Sequence, residues 1–366
     1  VPAPSSRHPF DRPARNTPHL RILHAIFSSG VAGSERYCAD LANRQAALGH
    51  EVHLAGRRDS PLAHLLDARV RFHGLGRLLL RWQVRRLVNR LDPDVCHGHL
   101  SAACKAFGAL PPSRPRLATL HVGYKPHQHG RLDGLICVNH AQSRRLDGYQ
   151  GNMRIIPNWV PEMTTAPAAG LRRELGLRDG TLLIGSVGRL HESKGADLLI
   201  QAFRTAAPEN AALVLIGDGP QRAALEQLRG GDARIHFAGH RSDVKACLAD
   251  LDLFVSPSRE ESFGLAILEA MHAGLPVIST AAEGPAEHLR DQPVTLVPPG
   301  ELDPLVKALA EAAVQFSSGR LGRRTYDLSG FSPAQRVGEI LDFYRESIRM
   351  RLAPAAPEWM PLPAAT

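Results

Sequence analysis

Two open parallel sheets of the doubly wound α/β kind, one in each half of the chain, are what the sequence predicts. Strand-like runs alternate with helical stretches from residue 20 to 160, and the same alternation restarts after residue 180. A segment rich in Pro and small residues, 156–170, separates the two series. With 366 residues, 43% of them hydrophobic, the chain can bury two medium-sized cores.

In the first half the strand-like runs are Leu20–Phe27, Glu51–Ala55, Val95–His97, Arg116–His121 and Gly134–Val138. In the second they are Leu182–Val187, Ala212–Gly217, Ile235–Ala238, Leu253–Pro257, Pro276–Ser279 and Val294–Val297. Each is short, apolar and bounded by turn residues, as strands covered on both faces should be. These runs divide the chain into domains at 1–165 and 166–335. Helical sequence resumes after Ser332 and Pro333 and runs to about Arg351, and 352–366 is a Pro-rich tail expected to pack loosely. Doubly wound sheets bind their ligands outside the carboxyl ends of the strands, so a ligand is expected there.

The most informative segment is Pro257–Ser279, which sets Glu261 and Glu269 around a Ser-Phe-Gly turn that opens a helix. The amides of Ser262, Phe263, Gly264 and Leu265 are the unpaired donors of a helix N-terminus, where the dipole favours a negative ligand such as a pyrophosphate. Glu269 can accept hydrogen bonds from ribose hydroxyls, and Glu261 from hydroxyls of a sugar. Upstream, Leu182–Gly195 reads as a buried strand running into a glycine-punctuated loop that carries Arg189 and Lys194. Two fixed cations and a helix terminus can stabilise the charge that builds on a departing diphosphate without a metal.

Glu261 to Glu269, with the LEAMHAGLPVIST that runs on from it, resembles the E-x7-E signature of retaining GT-B glycosyltransferases of family 4. Gly188–Gly195 resembles that family's G-R-x4-K-G element, and the resemblance extends over roughly Leu20 to Arg345. It implies two Rossmann-like domains facing a central cleft, an acceptor-binding first domain, a second domain for the nucleotide sugar, and a last helix at 336–351 crossing back onto the first. It further implies a hexosyltransferase of class EC 2.4, using a UDP- or GDP-sugar donor with no cofactor and no catalytic metal. In such an enzyme Glu261 and Glu269 position the donor, Arg189 and Lys194 neutralise its diphosphate, and His121 assists at the sugar. Gly33, with Gly30 and Glu35 around it, is similar to the family's G-G-x-E donor loop in altered form. Trp159 stands where glycine is usual, and Glu283–Glu287 replaces the commoner double-glycine loop in a way that looks like bacterial lipopolysaccharide-core transferases. The acceptor so implied is a cell-envelope glycolipid or oligosaccharide.

Two other motifs read as structure. His97 and His99 form a His-x-His pair with no third zinc ligand at useful spacing, and Asp250 and Asp252 fall at a helix-to-strand junction.

Charge separates the halves. Residues 1–160 carry 23 Lys and Arg against 10 Asp and Glu, although the whole chain is only +8. Within that half the stretch 77–90, with Arg77, Arg81, Trp82, Arg85 and Arg86, has no acid and offers Leu, Trp and Val among its arginines. As a helix it suits an anionic membrane surface, where each basic side chain contributes roughly 1 kcal/mol. The alternative is a sheet-covering helix with a solvated basic face. No nucleic-acid-binding motif accompanies the charge. No apolar run reaches 18 residues, residues 1–12 lack the apolar core of a signal peptide, and five scattered cysteines point to reduced thiols. The expected location is therefore the cytoplasm, peripheral on the inner face of the membrane. A sugar-nucleotide epimerase and a non-catalytic nucleotide-sugar-binding subunit remain as rival readings of the same residues.

Overall fold

A computed structural model describes residues 19–160 and 170–352. It divides into two compact units, the first of residues 19–136, 146–154 and 337–352, the second of 137–145, 155–160 and 170–336. The boundary expected near residue 165 and the tail expected from residue 353 fall outside the described residues.

The first unit holds a seven-stranded sheet of β1 (Arg21–Ala25), β2 (Glu51–Arg57), β3 (Arg71–Leu75), β4 (Val95–His99), β5 (Arg116–Leu120), β6 (Gly134–Cys137) and β7 (Asn152–Ile155). Its order is β3-β2-β1-β4-β5-β6-β7, and the β1–β2, β1–β4, β2–β3 and β4–β5 pairings are parallel. The second unit holds β8 (Leu182–Val187), β9 (Ala211–Ile216), β10 (Ile235–Gly239), β11 (Leu253–Ser256), β12 (Val277–Thr280) and β13 (Thr295–Val297). They pair in parallel throughout in the order β10-β9-β8-β11-β12-β13. Two strands escaped the sequence reading, β3 and β7. Both lie at sheet edges with half-exposed residues, so neither shows a continuous apolar run.

Alternation explains why the second sheet is covered on both sides. Leu182, Ile184, Leu213, Leu215, Leu253 and Val255 face one core with the helices Ala196–Ala206 and Leu302–Ser317. Leu183, Ala212, Val214, Ile216 and Phe254 face the other with the helix Leu265–His272. With a period of two, such strands are apolar on both faces along most of their length.

The basic segment forms a helix over Leu80–Leu91, three residues later than its charge pattern begins. Leu79 is left-handed at φ +55°, and the Gln83 amide closes the turn by donating to Leu78 O at 2.6 Å and accepting from Gly76 N at 3.1 Å. Val84, Leu87 and Val88 bury the inner face. Among the described residues no helix is long and apolar enough to cross a membrane, and all five cysteines are free and buried.

The last helix, Pro333–Leu352, belongs to the first unit from Val337 onward, where Phe343 and Tyr344 are almost wholly buried. Tyr344 meets His97 and Gln45 in a buried polar cluster that also takes in His24. Burial pushes His24 down to about 4, partly offset by its bond to Gln45. The unfolded chain takes up this proton near pH 6.5, whereas the folded chain resists it until about 4, so stability falls as pH falls through that window. His24 alone costs about 2 kcal/mol by pH 5. The thermal midpoint, followed by circular dichroism, is expected to drop between pH 7 and pH 5, and a flat profile would place His24 in contact with solvent.

Candidate functional site

In the second unit β8 and β11 are neighbours at the point where the strand order reverses, which is where a doubly wound sheet opens to a ligand. β8 leads into residues 188–195 and β11 into residues 257–264, so both segments singled out in the sequence leave the sheet side by side. They are tied together by backbone. Ser193 O accepts from Arg259 N at 2.8 Å and from Glu260 N at 3.1 Å. The Arg259 guanidinium then makes two 2.7 Å bonds to the Asp197 carboxylate and a third, of 3.0 Å, to Glu192 O. This pairing holds the Asp197 carboxyl below its ordinary range. Gly195 is left-handed at φ +66°, and a Cβ there would lie 2.0 Å from Pro257 O, so only glycine allows the two loops to touch.

On this frame Lys194 Nζ lies 2.6 Å from Glu261 Oε2, and the other Glu261 oxygen accepts from Phe263 N at 3.4 Å. Both side chains are largely shielded, with 33% and 17% of their surface exposed. Gly264 turns at φ +88° to start the helix Leu265–His272, and the amides of Gly264 and Leu265 have no partner among the described residues. Glu269 is half-buried just over one turn into that helix. Arg189 is exposed and makes no ion pair among the described residues, so its charge is available. The segments that leave the carboxyl ends of β8 and β11 thus carry two cations, two carboxylates and unpartnered helix-terminal amides. Such a set can bind a phosphate group and a polyhydroxyl group together.

Several supports were not legible in the sequence. Gly217, after β9, has φ +139° and would place a Cβ 1.9 Å from Gly188 O, while a Cβ on Gly284 would lie 2.2 Å from Ser262 O. Gly284 N donates to Glu261 O at 3.0 Å, and Asn139 Nδ2 donates to Ser262 O at 2.6 Å. His140 donates its backbone N–H to Glu287 at 2.8 Å, and Arg145 pairs with Glu283. The acid-bearing loop is therefore gripped from three separate parts of the chain. Asp250 and Asp252 serve structure, accepting from Leu171 N and Leu183 N at 2.8 Å each.

Gly33 and His121 belong to the first unit. Gly33 opens the helix Gly33–Ala47, whose terminus is already served by Glu35 accepting from Ala32 N at 2.8 Å. His121 follows β5, and its Nε2 lies 3.0 Å from His99 Nδ1. Burial pushes it down to about 4, so the ring is neutral at pH 7. One expectation needs correction. The His97–His99 pair has no third zinc ligand at useful spacing in the sequence, yet the fold brings His24 from β1 and Cys38 from the first helix beside His99, with ligand atoms within 4.8 Å of one another. These come from sequence-distant elements, so spacing alone could not reveal them. His97 is instead bonded to Tyr344 OH at 2.5 Å and to Thr119 Oγ1 at 2.9 Å.

On the basic helix Arg81, Trp82, Arg85 and Arg86 are exposed, and the Arg86 guanidinium lies 5.4 Å from the Trp82 ring centre. Leu78 and Leu79, at 84% and 75% exposure, extend the same surface. Beside them Arg57, Arg58 and Arg77 line a cavity of about 680 Å³ with Asp59, Leu75, Leu78 and Gln83, and Asp59 pairs with Arg57 at 2.5 Å.

Comparison with known proteins agrees with this geometry. Residues 181–316 match the family model for glycosyl transferases group 1, and residues 31–162 match that for glycosyltransferase family 4. The lipopolysaccharide core biosynthesis glycosyltransferase LpsE of Rhizobium meliloti is 30% identical over 287 residues, 74% of this chain and 82% of that protein. The N-acetyl-alpha-D-glucosaminyl L-malate synthase of Bacillus anthracis is 34% identical over 300 residues, 71% and 77% of the two chains. Among solved structures, Anabaena HepE in complex with UDP and glucose superposes with a TM-score of 0.76 at 20% identity, covering 90% of this chain and all of that one. That likeness establishes the GT-B architecture of two Rossmann-like units.

The tie between the two loops can be tested at Gly195. Gly195→Ala is expected to cost about 1–2 kcal/mol from its left-handed backbone alone, and more from the collision with Pro257 O. Denaturant midpoints measure the loss, and hydrogen exchange should quicken in 188–195 and 257–264; an unchanged midpoint would separate the loops.

Proposed function

The chain belongs to glycosyltransferase family 4, and on that premise we propose that it moves a hexose-type sugar, with retention, from a nucleoside diphosphate donor to a hydroxyl of a cell-envelope glycolipid such as lipopolysaccharide core. The observation that carries the donor half is the Lys194–Glu261 pair standing beside unpartnered helix-terminal amides. In the free protein the two charges satisfy each other. A diphosphate draws Lys194 away, joined by Arg189 and the amides of Gly264 and Leu265, and releases Glu261 to accept from sugar hydroxyls. Glu269 takes the ribose. The bond between the sugar and the phosphate oxygen then breaks while the acceptor oxygen bonds to the same carbon on the same face. The departing phosphate takes the acceptor proton, so no separate base is required. Fixed cations and amides stabilise the charge that develops on the phosphate, which supports a metal-independent reaction. A UDP-sugar is the first donor to try, since the related fold of HepE is one found with UDP and glucose.

The acceptor half rests on charge and apolar exposure. Three arginines line the first-unit cavity, and exposed Leu78, Leu79 and Trp82 lie among further arginines along the neighbouring helix. Such a surface suits a lipid-linked anionic acceptor at the inner face of the cytoplasmic membrane. The similarity to LpsE supports a lipopolysaccharide-core acceptor.

Calorimetry with UDP-, GDP- and ADP-sugars should find one donor that binds, with Glu269→Ala weakening it by roughly 1.5–3 kcal/mol. Slow donor hydrolysis should persist in EDTA. A clean epimerised product would make the protein an isomerase, and binding without any turnover would make it a partner subunit. Neutralising Arg81, Arg85 and Arg86 together should reduce sedimentation with liposomes containing phosphatidylglycerol, with a loss that shrinks as salt is raised; equal sedimentation by variant and parent would leave the helix as packing.

A further inference from the structure

The first unit contains a hydrogen-bonded series that the donor site does not use. His24 Nε2 lies 2.7 Å from Gln45 Oε1, His24 Nδ1 lies 3.2 Å from His99 Nε2, and His99 Nδ1 lies 3.0 Å from His121 Nε2. On the far side of Gln45 its amide nitrogen faces Tyr344 OH at 3.5 Å. That phenol lies 2.5 Å from His97 Nδ1, and His97 Nε2 lies 2.9 Å from Thr119 Oγ1. His24, His99 and His97 are completely buried, whereas His121 is half-buried at the end of the series.

A neutral imidazole has one N–H and one lone pair, so each ring must donate on one side and accept on the other. The Gln45 carbonyl can only accept, which makes His24 Nε2 a donor and His24 Nδ1 an acceptor. His99 must then donate from Nε2 and accept at Nδ1, and His121 must donate from Nε2. In the other direction the Gln45 amide donates to Tyr344, the phenol donates to His97 Nδ1, and His97 donates to Thr119. Six groups donate in one sense and Thr119 accepts at the end, and one side-chain amide sets that sense.

We propose that Gln45, His24 and His99 are positioning residues that hold His121 in its Nε2–H tautomer, so that its Nδ1 is presented as the hydrogen-bond acceptor for a substrate hydroxyl. This rests on the glycosyltransferase reading above and assigns a role to residues that reading leaves idle. Burial keeps the rings neutral, with His24 and His121 both pushed down to about 4. The other titratable groups against the series are Tyr37 and Cys38 from the Gly33–Ala47 helix and Tyr344 from the last helix. Burial raises all three well above their ordinary values, so they too are uncharged at pH 7. The acid acting on Cys38 is Glu35, whose carboxylate is engaged by Ala32 N. The ring of Tyr37 stands edge-on to His121 with centroids 5.0 Å apart, which fixes the imidazole plane.

The test is histidine nitrogen NMR on the full chain labelled with nitrogen-15, at pH 7, with resonances assigned through single histidine variants. Nε2–H at His24, His99 and His121 is expected. Gln45→Met removes the directing carbonyl and should populate Nδ1–H at His121, with kcat for hydrolysis of the bound nucleotide sugar falling about tenfold while its KM changes less than twofold. Tyr344→Phe, which frees the Gln45 amide to reverse, should mix the tautomers in the same way. Nδ1–H or an imidazolium at His121 in the parent would overturn the proposal, as would stoichiometric zinc bound through His24 and His99, since coordination removes the shared proton. The parent spectrum decides even if both variants fail to fold. Parental turnover in His121→Ala would overturn the substrate contact, whereas a parent that turns over no nucleotide sugar would count against the enzymatic reading itself.

Discussion

Most of the geometry of the proposed donor site depends on two loops touching through their backbones. Ser193 O receives two amides from the loop that follows β11, and Gly195 lets Pro257 O come where a Cβ would stand. With that contact in place, Lys194 and Glu261 lie at hydrogen-bond distance although 67 residues apart in sequence. Without it the two charges would be ordinary surface groups, whose pairing is worth little. The Arg259–Asp197 pair reinforces the contact with a fork geometry that a lysine could not reproduce. Rigid loops are needed because a phosphate site built from fixed amides and cations loses little entropy on binding.

The fold was legible wherever a strand carries a run of apolar residues, which most of the buried strands do and which the half-exposed edge strands β10 and β13 keep in Ile235, Phe237, Leu296 and Val297. All six strands of the second unit were expected, and in the central ones alternate residues such as Leu182 and Leu183 serve opposite cores. β3 and β7 were missed for the converse reason, being edge strands without such a run. The residues proposed for donor binding could be singled out because each motif is compact, one in residues 188–195 and one in 261–269. Their supports could not. Gly217, Gly284, Asn139 and Arg145 reach the site from three other segments, and a single sequence has no way to register such convergence.

The first unit is harder to read because its polar chemistry is assembled across elements. His24 comes from β1, Gln45 from the first helix, His97 and His99 from β4, His121 from the end of β5 and Tyr344 from the last helix. In the sequence they are scattered among eighteen histidines with nothing to mark them. Their burial is what marks them, because an interior polar group without a partner is costly and these have found partners in series. The same unit carries the basic helix and the arginine-lined cavity, so it combines an uncharged interior with a strongly cationic exterior. The two do not interfere, since the rings inside are neutral and the arginines outside are solvated.

Tyr344 gives the last helix a role beyond packing. Its ring is completely buried, its hydroxyl meets both Gln45 and His97, and the residue lies about 300 positions from Gln45 in sequence. Removing the helix would expose the apolar face formed by Val337, Ile340, Leu341 and Phe343. It would also take the Tyr344 hydroxyl from His97 Nδ1 and from the Gln45 amide nitrogen, a penalty of about 1–3 kcal/mol for each buried atom left unpaired. The segment that completes the first unit therefore follows all the residues of the second in the chain. A nascent chain must hold the incomplete first unit until Val337–Leu352 arrives, and Phe343, packed under 3 Å from the position a Cβ on Gly134 would take, shows how closely that late segment fits.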